Sequence, residues 1–415
     1  MKYSKANALP SFRLKYTKLF CLKSIFLLLI SSCASGQSAE VQEINPTNAL
    51  RLGSERTEVY LPQLRDQKIA LVANQTSLVA GRHLLDTLLS LGLNVQKVFS
   101  PEHGFRGEAN AGEHVATERD PETGLPIVSL YGKNKKPTAE QMKGLDAVLF
   151  DIQDVGVRFY TYISTLHYVM EACAENKVKL IVLDRPNPNG HYVDGPVLDS
   201  GFTSFVGMHP VPIVHGMTIG EYAQMINGEF WLKDSLQCAL EVIACEGYTH
   251  AMPYSLPVRP SPNLRSDLAI RLYPGLCLLE ATEVTVGRGT EGPFERYGHP
   301  AFPDSLPATF VPQPDFGAKD PSHKGIRCYG YDYQKLPLPA ADKIDLQPLF
   351  NSYQLLKGDL FAGKSTRMFF LLCGTDSLLQ QLQAGLEEAE IRASWSVALE
   401  NYRNNIRPKY LIYPN

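Results

Sequence analysis

The chain has 415 residues, 44% of them hydrophobic and 20% charged, and its 40 basic against 43 acidic residues leave a formal net charge of -3. That length holds about two domains. The ordinary composition excludes a disordered or collagen-like chain, and the near-balance of charge argues against a broad nucleic-acid surface.

Residues 1–37 differ from the rest. Lys2, Lys5, Arg13, Lys15, Lys18 and Lys23 precede the apolar run Ile25–Ile30, and no acidic residue occurs before Glu40. A basic stretch followed by a short apolar run reads as a secretory signal, too short to span a bilayer as a helix of about 20 residues. The run ends in Ser31-Ser32-Cys33, which resembles a bacterial lipobox with Cys33 as the lipidated first residue of the mature chain. A single lipid-bearing terminus implies an exported protein anchored to a membrane rather than crossing it. Residues 38–50 read as a polar tether. The later cysteines, Cys173, Cys238, Cys245, Cys277, Cys328 and Cys373, form no C-x-x-C pair and mostly sit in apolar runs, so buried free thiols are expected and a zinc cluster is not.

Lys68–Ala73 is a short apolar run and predicts a buried strand. Leu84, Leu85, Leu88 and Leu89 give residues 82–91 helical spacing, and a second strand follows at Val95–Phe99. A helix is expected at 138–144, a third strand at Asp146–Asp151, a helix over Thr161–Asn176 and a fourth strand at Lys179–Asp184. Thr218 with Glu221 three residues on is a capping-box signal for a helix to Phe230, and Ala239–Ala244 reads as a fifth strand. Strands alternating with helices build a parallel sheet with helices on both faces. After residue 250 the pattern changes: prolines 253, 257, 260 and 262 mark a boundary, and a short strand (Met368–Leu372) with helices at 376–386 and 392–403 suggests a smaller α+β domain.

In open parallel sheets, ligands bind beyond the carboxyl ends of the strands. Four successive strand ends here carry polar groups: Asn74, then Glu102 and His103, then Asp151, Asp154, Arg158 and Tyr160, then Asp184, Arg185 and Asn187. This convergence predicts an active site. No G-x-G-x-x-G follows the first strand, and no Walker loop, H-E-x-x-H or G-x-S-x-G is present. What remains is carboxylates with basic and aromatic neighbours. Glycosidic cleavage commonly uses two carboxyl groups in unlike environments, one protonated to donate to the leaving oxygen and one ionised. Glu102, with Phe99 and Phe105 near in sequence, is the candidate acid, and Asp151 or Asp154 the candidate partner. Phe159, Tyr160 and Tyr162 offer rings to a sugar face. Each also has a structural alternative: a turn cap, a loop pin or, for His215, a packed loop histidine.

The motifs Phe99–Gly107, Ser129-Leu-Tyr-Gly132, Phe150–Tyr162, Val182–Pro188, Ser204–Gly207, His215–Glu221, Pro260-Ser-Pro-Asn263, Tyr273-Pro-Gly275, Gly287–Thr290 and Lys409–Tyr413 closely resemble the NamZ-like family of exo-acting β-N-acetylmuramidases. The resemblance runs from about residue 50 to the C-terminus. It implies an α/β fold with a Rossmann-like parallel-sheet domain (51–250), a smaller α+β domain (251–415) and an active-site cleft between them. It implies Glu102 as the main catalytic candidate and substrates that are muramic-acid-terminated peptidoglycan fragments; for the second carboxylate, which the resemblance does not assign, Asp151 or Asp154 comes first on position and Glu280 next, and no cofactor or metal is expected. The chain departs from the commoner family pattern at Val286, where many members have Glu, and at Asn189 and His191.

N-acetylmuramic acid carries a lactyl carboxylate, and reading it calls for a cation, best a guanidinium. Arg158, Arg185 and Arg288 are the candidates, with Asn74, His103, Tyr160, Asp184, Asn187, His215, Asn263 and Glu280 as further substrate contacts. Two other functions share these residues: a lipoprotein that binds cell-wall sugars without cleaving them, and a hydrolase for another acidic sugar.

Overall fold

The computed structural model describes residues 49–106 and 118–415. The expected signal segment, Cys33 and most of the tether lie outside the described residues. Pro46–Asn415 forms one compact unit.

The chain opens with α1 (Thr57–Leu64), then β1 (Lys68–Ala73), a small hairpin of β2 (Leu78–Val79) and β3 (Arg82–His83), α2 (Leu84–Ser90) and β4 (Asn94–Ser100). β5 (Glu118–Arg119), β6 (Pro126–Ser129), α3 (Ala139–Met142), β7 (Ala147–Asp151), α4 (Tyr162–Asn176), β8 (Lys179–Leu183), α5 (Ile219–Gly228) and β9 (Leu240–Ile243) complete the first half. One sheet takes the strands in the order β5-β6-β4-β1-β7-β8-β9. All neighbours are parallel except β5, which runs antiparallel to β6.

Parallel strands covered on both faces read as continuous apolar runs, and β1 shows why. Ile69, Leu71 and Ala73 pack with Leu84, Leu85 and Leu88 of α2 in one core, while Ala70 and Val72 pack with Leu166, Val169 and Met170 of α4 in the other. In register, Val72 lies between Phe99 and Phe150, and Ala73 beside Asp151. The chain leaves β1 toward β4 on one side and returns to β7 on the other, so the sheet's switch point lies at the carboxyl ends of β1 and β7.

The second half contains α6 (Asp267–Leu276), an antiparallel sheet ordered β10 (Arg296–His299), β12 (Cys328–Asp332), β11 (Ala308–Phe310), then α7 (Gln347–Leu355), α8 (Arg367–Cys373), α9 (Ser377–Gln383) and α10 (Glu388–Asn401). The larger core continues from the first half into this one through Leu272, Phe294, Phe369 and Trp395. The segment expected as a strand at Met368–Leu372 is helix α8. Phe369, Leu372 and Cys373 are buried while Met368 is 49% exposed, a spacing of three and four that suits a helix; so short an apolar run carries no period of its own.

Thr218 and Glu221 form the expected capping box on α5, with Glu221 N to Thr218 Oγ1 at 3.2 Å and Thr218 N to Glu221 Oε2 at 2.9 Å. The six described cysteines are free and buried. Among the described residues no helix is long and apolar enough to cross a membrane.

Candidate active site

Beyond the ends of β4 and β7 lies a pocket walled by both halves of the chain. Glu102, His103, Phe159, Tyr160, Thr161 and Tyr162 come from the sheet edge, and Ser261, Asn263, Leu264, Tyr273, Arg288 and Phe294 from the second half.

Glu102 sits in a tight turn directly after β4. Gly104 N donates to the Pro101 carbonyl at 3.2 Å, which makes Glu102 and His103 the central residues. His103 takes φ 72° and Gly104 φ 80°. A side chain at positive φ costs about 1–2 kcal/mol, so the turn sets Glu102 at the pocket wall against a local penalty, a pattern frequent at functional sites. Thr161 Oγ1 donates to Glu102 Oε2 at 3.3 Å, and the Tyr131 hydroxyl is hydrogen-bonded to the same carboxylate. Burial first, then the charge of Glu102, pushes the Tyr131 hydroxyl up to about 12, so it stays a donor at neutral pH. The expected apolar wall around Glu102 is not built from Phe99 and Phe105: Phe99 belongs to the core, and Phe105 packs edge-on against His83 at 4.7 Å. Hydroxyls frame Glu102 instead.

Phe159, Tyr160 and Tyr162 line the pocket. The hydroxyls of Tyr160 and Tyr162 both donate to the Pro260 carbonyl, at 2.8 and 3.2 Å, which ties the sheet edge to the loop before α6. Asn74 contributes indirectly: its Nδ2 donates to the Tyr162 hydroxyl at 3.0 Å and its Oδ1 accepts from Thr76.

Arg288 is the one cation among the described residues that line the pocket. Its Nε and Nη2 hold Glu280, and its guanidinium lies 5.2 Å from the centre of the Phe294 ring. Burial works against the charge of Arg288, but Glu280 more than offsets it and the pKa is raised. Nη1 has no hydrogen-bond partner among the described residues. Glu280 stands behind Arg288 as its counter-ion; its carboxylate also accepts from the Cys277 thiol at 3.7 Å.

The other expected site residues serve the fold, for physical reasons visible in their contacts. Asp151 is fully buried and clasped by Arg185, Nε to Oδ1 at 2.6 Å and Nη2 to Oδ2 at 2.9 Å, so neither is open to a ligand. Arg158 is fully buried and donates to four carbonyls: Pro196 and Val211 at 2.8 Å through Nη1, Leu372 at 3.0 Å and Cys373 at 2.8 Å through Nη2. It therefore satisfies the carbonyl end of α8 rather than a lactyl group. Asp184 accepts from Arg185 N, Gly220 N, Thr218 Oγ1 and Tyr413 Oη at 2.6–2.9 Å, an anion fastened to the start of α5. Burial pushes its carboxyl up to about 6 despite those bonds. Asn187 bonds the Met217 carbonyl and Asn189 N. His215 is buried, accepts from Met217 N at 3.3 Å and is held near 3, hence neutral, by burial and then by Arg407 and Arg158. Its Nε2 lies 3.8 Å from Asp154 Oδ2. Asp154 is 4% exposed, and burial pushes it up to about 7. It is not part of the pocket's lining.

Tyr131 and Thr161, the partners of Glu102, were not singled out in the sequence. Both sit inside family motifs, but Tyr131 follows β6, a strand whose four residues, Pro126–Ser129, carry no clear alternation. Away from the pocket, Glu283, His299 and His323 bring possible metal-ligand atoms within 4.8 Å of one another. Ala301 N donates to His299 Nδ1 at 3.0 Å, which leaves that ring's proton on Nε2, and His323 Nε2 is hydrogen-bonded to the Glu283 carbonyl at 2.6 Å. A roomier cavity between Pro188–His191 and α6, which includes Asn189 and His191, contains none of the expected catalytic carboxylates.

A doubly wound sheet, a carboxylate held by hydroxyls at its carboxyl edge and a ring-lined pocket closed by a second α+β part suit an enzyme that acts on a sugar. The chain belongs to the exo-β-N-acetylmuramidase NamZ family: the N-terminal family model matches residues 69–268 and the C-terminal model residues 271–413. It is 37% identical over 378 residues to the peptidoglycan β-N-acetylmuramidase NamZ of Bacillus subtilis (strain 168), covering 85% of this chain and 89% of that one. Two crystal structures of DUF1343 family proteins from Bacteroides fragilis share the fold. One is 43% identical with a TM-score of 0.81, the other 27% identical with a TM-score of 0.72, each covering 88% of this chain and 99% of its own.

Proposed function

We propose that this protein is an exo-acting glycosidase that releases N-acetylmuramic acid from the non-reducing end of peptidoglycan fragments. The observation that carries the reading is the pairing, in one pocket, of the Glu102 carboxyl with the Arg288 guanidinium, a group suited to binding a lactyl carboxylate. The relative's activity on peptidoglycan supports it. Glu102 acts as general acid toward the glycosidic oxygen, oriented by Thr161 and Tyr131. The unused Nη1 of Arg288 meets the lactyl group, while Glu280 holds the guanidinium in place. Tyr160, Tyr162 and Phe294 shape the pocket around the sugar. The N-terminal segment exports the chain, and lipidation at Cys33 anchors it to a membrane facing the wall.

The test is release of free N-acetylmuramic acid from a disaccharide with that sugar at its non-reducing end and N-acetylglucosamine at its reducing end. Binding of the disaccharide without release would favour a non-catalytic wall-sugar-binding protein. Equal hydrolysis of a glycoside lacking the lactyl group would remove the assignment of Arg288. The anchor is tested by mass spectrometry of the mature N-terminus, where an unmodified Cys33 would refute lipidation.

A further inference from the structure

Asn263 belongs to the loop that leads into α6. The loop is pinned on both sides. The Pro260 carbonyl accepts from Tyr160, Tyr162 and Gln75 Nε2, while Ser261 and Leu264 form a bridge and Leu264 N donates to Ser261 Oγ at 3.3 Å. The Asn263 side chain, 3% exposed, is held from the second half by Gly317, whose carbonyl accepts from Nδ2 at 2.8 Å. Gly317 has φ 108°, and a Cβ there would stand 3.1 and 3.2 Å from the two amide heads of Asn263 and 3.0 Å from Pro262 Cβ. Only a glycine lets the backbone come this close.

This clamp settles which way the amide points. Nδ2 must face the Gly317 carbonyl, so Oδ1 is the other head, and among the described residues no donor meets the buried Oδ1. A buried acceptor without a donor is costly, and native proteins rarely retain one without a use. Asn263 lines the same pocket as Glu102. A molecule seated in the pocket can bring the donor that the described residues do not supply.

We infer that Asn263 Oδ1 accepts the N–H of the substrate's 2-acetamido group, and that this group is the nucleophile of the reaction. The inference rests on the acetamido-sugar hydrolase reading given above. Asp151 is bound to Arg185 and Asp154 lies outside the lining, so the strand ends contribute Glu102 as the carboxyl of the pocket. An acetamido sugar brings its own second group, and substrate-assisted hydrolysis of this kind is a known exception to the two-carboxylate scheme.

The acetamido carbonyl oxygen bonds to C1 as the bond from C1 to the leaving oxygen breaks, and Glu102 gives that oxygen its proton. The positive charge resides on the resulting oxazolinium ring, whose N–H remains hydrogen-bonded to Asn263 Oδ1. Water then bonds to C1 while the Glu102 carboxylate takes its proton, and the ring's C1–O bond reopens to the acetamide. Asn263 orients the amide and stabilises its developing charge without accepting the proton. The configuration at C1 is retained.

The decisive measurement uses the unaltered full chain and a fluorogenic β-glycoside of N-acetylmuramic acid together with its mono-, di- and trifluoroacetamido analogues. Each fluorine weakens the carbonyl oxygen as a nucleophile, so kcat should fall steeply along the series, and the first sugar released should be the β anomer. Asn263→Ala should lower kcat about 100-fold with a flatter response to fluorination, in protein whose thermal midpoint certifies folding. Turnover of the parent glycoside that is insensitive to fluorination, or release of the α anomer first, overturns the inference and leaves the hydrolase assignment standing. No cleavage of the parent glycoside removes the assignment itself and the inference with it.

Discussion

Arg185 grips Asp151 through two parallel contacts of 2.6 and 2.9 Å, with side-chain exposures of 2% and 0%. The pair joins the ends of β8 and β7 directly beside the sheet's switch point. Removing one partner of a buried pair strands the other charge, which costs about 3–5 kcal/mol. Asp151→Asn should therefore lower the urea midpoint of unfolding by that equivalent while leaving kcat per folded molecule nearly unchanged. A stable, folded but inactive Asp151→Asn protein would return Asp151 to a chemical role.

Arg158 should behave the same way for a different reason. Its guanidinium ties together the carbonyls of Pro196, Val211, Leu372 and Cys373, the last two at the end of α8. Arg158→Met orphans these acceptors, each worth about 1–3 kcal/mol when buried and unpaired. The expected result is a loss of at least about 3 kcal/mol in stability, read by chemical denaturation. An intact denaturation midpoint together with weakened binding of acidic sugars would instead place Arg158 in substrate recognition.

Glu102→Gln keeps the shape of the side chain and removes its proton chemistry. Activity on a muramic-acid glycoside should fall about 10²–10⁴-fold. The residue is only partly buried, so stability should change by less than about 1 kcal/mol. Isothermal titration with the disaccharide should show binding largely retained. Undiminished turnover would take Glu102 out of the acid role.

Asp154 makes stability depend on pH in a definite direction. Burial, opposed only by the Gly156 and Val155 N–H groups, raises its carboxyl to about 7, against about 3.9 in an unfolded chain. Between those values the folded state holds a proton that the unfolded state has lost. This contribution is present in full below about pH 4, declines from there to pH 7 and is gone above it, a span on the order of 4 kcal/mol. Asp184, raised to about 6, acts in the same direction. Asp154→Asn should abolish its own share, so the difference in urea midpoint between variant and parent should grow in the variant's favour from pH 4 to pH 8. A difference independent of pH would refute it.

Arg288 and Glu280 must be tested together, since Arg288→Met alone strands Glu280. The double variant Arg288→Met, Glu280→Gln should lose about 10–100-fold in kcat/KM for the muramic-acid glycoside, the scale of one hydrogen bond to a charged group. Hydrolysis of the N-acetylglucosamine analogue should change little. Equal losses on both substrates would place the pair in support of the pocket wall.

The parallel sheet was legible in the chain because its strands are buried on both faces. β1 and β7 read as unbroken apolar runs, and the turn chemistry after each, together with the Thr218 capping box, is local. Less was visible where elements draw their stability from distant partners. β10, β11 and β12 pair with one another across loops, and α8 shows its helical spacing only once Phe369 and Cys373 are seen to share a core. The strand ends likewise announced polar residues without showing which way each would turn.

Sequence alone determined the alternation of strand and helix, the placing of Glu102 in a turn directly after a strand, and the family, because these depend on residue types at short, fixed spacings. Only the tertiary structure decided the division of labour among the polar residues. Asp151, Arg158, Asp184 and Arg185 are as ionisable as Glu102 and Arg288, and composition does not distinguish them. Each of those four finds its partners in segments far along the chain and is spent on them, whereas Glu102, Arg288 and Asn263 line one pocket whose walls come from both halves of the chain.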